Sequence, residues 1–200
     1  KMVQARKAGA KIVTIDPYRS PTAERSDWHV APRPGTDAAL ALGMIHVLFR
    51  DGLQDDDYLQ SACVGTDALR SRVAEEYEPG RVAEITGLSV SDIERLAREY
   101  AAATPAAIRV NYGATRHAGG GMAIRTIACL PAVIGAWKHS AGGVFLSTSA
   151  LFPFNLQGLQ RPDLIPQGTR TINMTQLGEA LNGEAAGPPV EALYVYCSNP

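Results

Sequence analysis

The feature that most constrains this chain is a short apolar run, Lys11-Ile12-Val13-Thr14-Ile15, closed by Asp16-Pro17 and preceded by Gly9. Gln4 to Gly9 reads as the end of a helix with Gly9 as its stop. The run that follows is too short for a helix and has the β-branched content of a buried strand. A helix stop, a buried strand and an acidic residue at its carboxyl end together point to an α/β fold. Later segments repeat the alternation. A helix is expected from Thr36, its N-cap, to Arg50 before Gly52, with Leu40, Met44, Val47 and Leu48 on one face. Ala106 to Tyr112 reads as a second strand and Ala192 to Tyr196 as a last one. The expectation is a Rossmann-like parallel sheet flanked by helices.

Between these landmarks, Asp55 to Val73 is polar and reads as two short helices. Pro79 opens a helical turn that ends near Gly87. Ser89 and Asp92 form a capping-box-like pair before a helix that buries Ile93, Leu96, Ala97 and Tyr100. Gly119 to Gly121 precede a long apolar helix, Met122 to Ala136. Ser140 to Ser149 reads as a Gly- and Ser-rich loop, Phe152 to Gly168 as irregular, and Thr175 to Leu181 as a short helix.

Composition narrows the function classes. Among 200 residues, 46% are hydrophobic and 20% charged, which fits a folded globular chain rather than a disordered one. A net charge of −1 without blocks of like charge argues against a nucleic-acid partner. Every long apolar stretch is interrupted before it reaches a membrane span. Cys63, Cys129 and Cys197 are an odd number without CxxC spacing, which favours free thiols over a disulfide framework or a zinc site. His29, His46, His117 and His139 show no metal-ligand spacing, so no metal site is expected among these residues. Lys1 falls inside a helical pattern and no signal-peptide pattern is seen. The chain is therefore expected to be a fragment of a longer protein, with its compartment left open.

Two acidic positions stand out, each with two readings. Asp16 sits where α/β folds bind ligands, and its carboxylate can accept hydrogen bonds from a ribose hydroxyl or a guanine edge. It can equally end the strand or cap a turn. Asp37 follows the turn Pro34-Gly35-Thr36 in the first turn of a helix. There it either complements the helix dipole or faces a purine. Gly119-Gly120-Gly121 can cradle an anion or allow close backbone packing, and it has neither the Walker nor the dinucleotide spacing. Arg116 and His117 form a loop pair suited to an anionic substrate or phosphate, or simply to solvent.

The ordered set of segments resembles the dimethyl sulfoxide reductase superfamily of molybdopterin oxidoreductases. It comprises Gly9 to Pro17, Arg33-Pro34-Gly35-Thr36-Asp37-Ala38-Ala39-Leu40, Tyr77 to Asp92 with Ile85-Thr86-Gly87-Leu88-Ser89, Arg125 to Gly135, Ala141-Gly142-Gly143, and Leu193 to Pro200. The resemblance implies a bis(molybdopterin guanine dinucleotide) cofactor carrying molybdenum or tungsten. It implies that Asp16 and Asp37 contact a guanosine end, with Pro34 and Gly35 shaping the pocket, and that Asn199 belongs to a second dinucleotide-contacting turn. The family commonly has Gly at the place of Cys197, and a side chain there crowds a tight turn.

The metal ligand and any iron–sulfur cysteines are expected upstream of Lys1, so no catalytic residue is assigned within the chain itself. Formate dehydrogenases of the superfamily place an Arg at the position of Ser147, and no Arg occurs between Arg125 and Arg161. This lowers the expectation of formate as substrate. It leaves Ser147, with Arg116 and His117, as substrate-side candidates. Residues 1–145 are expected to form an α/β dinucleotide-binding-like domain and 146–200 the start of a neighbouring α/β domain. The expected function is two-electron redox or oxygen-atom transfer on a small-molecule substrate, with an electron-transfer partner protein or subunit and with no nucleic acid and no membrane span. The alternative is a cofactor-free structural relative, like the large iron–sulfur subunit of respiratory complex I.

Overall fold

The computed structural model describes residues 2–146 and 152–196. The chain divides into two compact units, Lys1–Leu146 and Ser147–Pro200. The first opens with helix α1 (Met2–Lys7), ended by Gly9 at φ +93°. Strand β1 (Val13–Ile15), helix α2 (Pro21–Glu24) and strand β2 (Trp28–Val30) follow. Strands β1 and β2 pair in parallel, Val13 opposite Trp28 and Ile15 opposite Val30. The N–H of Asp16 continues the ladder to Val30 O at 3.0 Å.

Helix α3 (Asp37–Arg50) is the axis of the unit. Around it pack α5 (Thr66–Glu76), α6 (Pro79–Thr86), α7 (Val90–Ala102) and α8 (Gly120–Val133). Helix α4 (Asp56–Ala62) joins the group through α8. The core contains Leu40, Met44, Ile45, Val47 and Leu48 from α3, with Val73, Val82, Ile93, Leu130 and Val133 facing them. Each fully buried aliphatic side chain contributes about 1.5–3 kcal/mol of transfer free energy, so α3 is held chiefly by this apolar face. The α3, α6 and α7 boundaries match the caps read from sequence. Ser89 Oγ accepts from Asp92 N at 3.1 Å, and Gly87 ends α6 at φ +75°.

A second parallel pair joins β3 (Ala107–Arg109) to β4 (Gly143–Phe145). The α/β class with parallel strands and flanking helices is thus the observed one. Among the described residues the strands form two separate two-stranded sheets. Three expectations for the first unit need correction. Strand β2 was not expected, because Trp28-His29-Val30 is short and centred on a polar residue. Strand β4 lies inside the segment read as a Gly- and Ser-rich loop, since β3 supplies a partner that local composition does not reveal. Helix α8 begins within the glycines, at Gly120, rather than after them. Gly120 is buried, and a Cβ there would sit 2.6 Å from Thr115 Cα, which identifies close backbone packing.

In the second unit, α9 (Leu156–Gln160) and a 3-10 turn at Pro162–Leu164 occupy the stretch expected to be irregular. Helix α10 (Leu177–Leu181) lies where a short helix was expected. Residues 192–196 are not a strand. No ladder partner is present for them among the described residues, and Tyr194 is 88% exposed.

Candidate functional site

The carboxyl-terminal edge of the β1–β2 pair is where the two acidic candidates meet the fold. Asp16 directly follows β1, and the stretch from Ala31 to Thr36 follows β2 and leads into α3. Because the strands are parallel, both segments leave the same edge. That edge is the ligand-binding end of open α/β sheets. Asp16 is half-buried and fixed on three sides. Its N–H joins the ladder, its carbonyl oxygen bonds His29 Nε2 at 2.8 Å, and its Oδ1 accepts from Tyr18 N at 2.9 Å. The last bond is an Asx turn, so one carboxylate oxygen serves the backbone and Oδ2 remains.

The turn Arg33-Pro34-Gly35-Thr36 closes through Thr36 N to Arg33 O at 3.3 Å, with Gly35 at φ +78°. Pro followed by a positive-φ Gly is the type II pattern. Thr36 takes the N-cap position as expected, but its hydroxyl does not cap. It donates to Arg33 O at 2.7 Å instead. The first amides of α3 are therefore left without a side-chain acceptor, beside an exposed Pro-Gly corner. Asp37 stands in that first turn, half-buried, and among the described residues its carboxylate takes no hydrogen bond or ion pair. It has no structural partner to lose.

Two residues that build this edge were not singled out from sequence. His29 holds the Asp16 carbonyl oxygen, and Arg33 ties the turn to α6. Nothing in residue spacing points to either, because both act on backbone carbonyls contributed by distant segments. His46, by contrast, lies within α3, its Nδ1 bonded to Val73 O at 2.8 Å.

Arg116 and His117 belong to a different place. They follow a 3-10 turn (Tyr112–Thr115) after β3 and precede α8. His117 Nδ1 accepts from Gly119 N at 3.2 Å, so in the neutral ring the proton lies on Nε2. Nε2 is buried and, among the described residues, has no hydrogen-bond partner. Ser147 and Asn199, and with them Cys197, lie outside the described residues. Cys63 and Cys129 are free, and burial pushes the Cys129 thiol up from its ordinary value. Among the described residues no cluster of His, Cys, Asp and Glu is arranged to hold a metal ion. No helix among them is long and apolar enough to cross a membrane.

Comparison with known proteins places this edge in context. The family model for molybdopterin oxidoreductase matches residues 1–197. The probable oxidoreductase YoaE of Bacillus subtilis is 45% identical over 198 residues, which is 98% of this chain and 29% of that protein. Formate dehydrogenase H of Escherichia coli is 36% identical over 129 residues, 64% of this chain and 18% of that protein. The solved structure of acetylene hydratase from Pelobacter acetylenicus superposes with a TM-score of 0.67 at 36% identity, covering 70% of this chain and 19% of that one. The chain thus spans less than a third of the length of these relatives. With the parallel strand pairs, the Asp16 strand end and the Pro34–Asp37 turn all inside the matched region, the chain belongs to the molybdopterin oxidoreductase family.

Proposed function

We propose that the edge formed by Asp16, Pro34, Gly35 and Asp37 holds the guanosine end of a bis(molybdopterin guanine dinucleotide) cofactor, within a longer oxidoreductase. The observation that carries this reading is Asp37: a half-buried carboxylate without a partner, at a helix start whose N-cap hydroxyl is turned away. The residues fit the group. A carboxylate accepts both the N1–H and the amino group of guanine, and the open amides of α3 favour negative charge nearby. Asp16 Oδ2 is the second acceptor at the same edge, suited to a ribose hydroxyl. Pro34 and Gly35 supply the exposed corner against which a flat base rests.

The cofactor, with molybdenum or tungsten, would supply the two-electron redox or oxygen-atom chemistry, and an iron–sulfur cluster would serve electron transfer. This chain contributes binding and orientation. Asn199 is proposed for the second dinucleotide turn. Arg116, His117 and Ser147 are proposed for the substrate side, with the buried Nε2–H of His117 as an unspent donor. The small-molecule substrate and the electron-transfer partner act on the longer protein.

The test is a titration of this chain with GDP, inosine diphosphate and ADP, with Asp37→Asn beside the parent. GDP should bind in preference to inosine diphosphate, which lacks the amino donor, and to ADP. Asp37→Asn should weaken GDP by roughly ten- to more than a hundredfold, the equivalent of a charge-assisted hydrogen bond of about 1.5–3 kcal/mol. A dipole-only role predicts a stability loss of about 0.3–1 kcal/mol and no selective effect on GDP. Equal binding of the three nucleotides, or an unaltered GDP affinity in Asp37→Asn, would overturn the proposal.

A further inference from the structure

We infer that Arg33 is the positioning residue of the nucleotide turn: it locks the Pro34–Asp37 segment onto the carboxyl end of α6. The inference rests on the reading that this turn holds a guanine nucleotide.

The last turn of a helix leaves carbonyl oxygens without intrahelical donors, and cations are favoured beside them. Arg33 meets three consecutive carbonyls of this kind. Its backbone N–H donates to Thr86 O at 2.8 Å, and its Nη1 donates to Glu84 O at 2.5 Å and lies 3.4 Å from Ile85 O. The side chain reaches them by running over Gly87. A Cβ built on Gly87 would sit 3.2 Å from Arg33 Nε and 3.4 Å from Cγ. On its other side, Arg33 O accepts from both Thr36 N and Thr36 Oγ1. That second bond keeps the Thr36 hydroxyl from capping α3.

The result is a closed mechanical loop. Helix α6 packs on α3 through Val82 against Gly43, and α3 begins at Asp37. Its start is joined through the turn to Arg33, and Arg33 returns to α6. The position of Asp37 relative to the open amides is therefore set from both ends. Arg33 itself is exposed and adds nothing to the buried core. A planar guanidinium holding adjacent carbonyls fixes direction as well as distance, which suits a residue whose job is geometry.

The experiment uses this chain with three probes: GDP affinity, amide hydrogen exchange and melting temperature, in the parent, Arg33→Met and Arg33→Lys. Methionine keeps an apolar stem and removes the donors. In Arg33→Met, GDP should bind about tenfold more weakly, the order of one lost charge-assisted hydrogen bond. Exchange at Arg33 and Thr36, whose amides bond Thr86 O and Arg33 O, should speed up while the amides of α3 and α7 keep their protection. Arg33→Lys, whose point charge can reach Glu84 O but cannot hold the adjacent carbonyls in one plane, should recover only part of the affinity. A uniform rise in exchange across the unit would show a merely structural role and overturn the inference. So would parent-like GDP binding in Arg33→Met. If the parent itself binds no GDP, the nucleotide reading fails first and this inference falls with it.

Discussion

Gly43 of α3 lies against Val82 of α6 so closely that an added Cβ would come within 2.8 Å of Val82 Cγ1 and 2.9 Å of Cγ2. Val82 is fully buried and β-branched, so its rotamer has little freedom to yield within a helix. Two effects oppose each other in Gly43→Ala. Helix propensity favours alanine by about 1 kcal/mol, while overpacking a tight core costs about 1–3 kcal/mol. Overpacking should win, lowering the urea midpoint. The double variant Gly43→Ala with Val82→Ala should be less destabilised than the sum of its single changes. Strict additivity of the two would show that the contact does not limit the α3–α6 approach.

How much of this was legible beforehand depended on whether the information was local. The α3 and α7 helices were readable because their caps and apolar faces lie within one segment, as at Ser89 and at Leu40, Met44, Val47 and Leu48. Asp16, Pro34, Gly35 and Asp37 were legible as candidates because strand end and turn chemistry are local too. Strands β2 and β4 were not, since each exists through a partner distant in the chain: Trp28 opposite Val13, and Gly143 opposite Ala107. The same holds for Arg33, whose significance lies in carbonyls 51 and 52 residues away.

Tyr100 of α7 carries a buried hydroxyl with no hydrogen-bond partner among the described residues, and burial pushes its phenol up from the ordinary value. A buried unsatisfied hydroxyl costs about 1–3 kcal/mol, whereas the ring keeps its packing in Tyr100→Phe. The variant should be at least as stable as the parent. A gain of about 1 kcal/mol corresponds to roughly 2–4 °C in melting temperature for a chain of this size. A drop of that size would mean the hydroxyl is satisfied after all.

Asp55 staples α4 to the end of α8. Its Oδ1 caps α4 through Tyr58 N at 2.9 Å, its N–H donates to Val133 O at 2.8 Å, and its Oδ2 pairs with Lys138 at 2.5 Å. Asp55→Ala removes cap and pair together and should cost about 1–2 kcal/mol, most of it from the cap. Asp55→Asn keeps an acceptor for Tyr58 and should lose only a fraction of that. Equal losses in thermal melts of the two variants would assign the stabilisation to the ion pair instead.

The end of α3 and the face of α7 share a four-charge network. Arg50 bonds Asp51 and Glu94, each at 2.8 Å, and Arg98 bonds Asp51 at 2.8 Å and Glu94 at 3.2 Å. The Arg50 guanidinium, ahead of Arg98, holds both carboxyls below their usual values. A depressed folded pKa means that the unfolded chain binds more protons in the window between the two values. Stability from these groups is therefore fully present above the ordinary carboxylate range, near pH 4, and is lost as pH falls through the folded values. Urea midpoints should hold level from neutral pH to about pH 5 and then decline. Asp51→Asn with Glu94→Gln should flatten that decline, and added salt should trim it because the groups are partly exposed. An acid limb identical in parent and double variant would place the titration elsewhere.

Gly120 and Gly121 offer the last prediction, because they separate packing from anion binding within one helical turn. Gly120 is buried, and a Cβ there would meet the backbone of Thr115 at 2.6–2.7 Å, where no side chain can rotate away. Gly121 is exposed, has nothing within 4 Å of a built Cβ, and takes no positive φ. If the glycines serve close approach, Gly120→Ala must push apart the 3-10 turn and α8, at a cost in the range of about 1–3 kcal/mol. Gly121→Ala should then be neutral or stabilising by up to about 1 kcal/mol, since alanine is the better helix former. An anion cradle predicts a different pattern. Its exposed amides would lie at Gly121 and its neighbours, and both variants would fold normally while responding differently to phosphate. Thermal melts of the two variants, with and without inorganic phosphate, distinguish the cases. Destabilisation confined to Gly120→Ala and unchanged by phosphate supports packing. A phosphate-dependent stabilisation of the parent that is lost in Gly121→Ala would refute it.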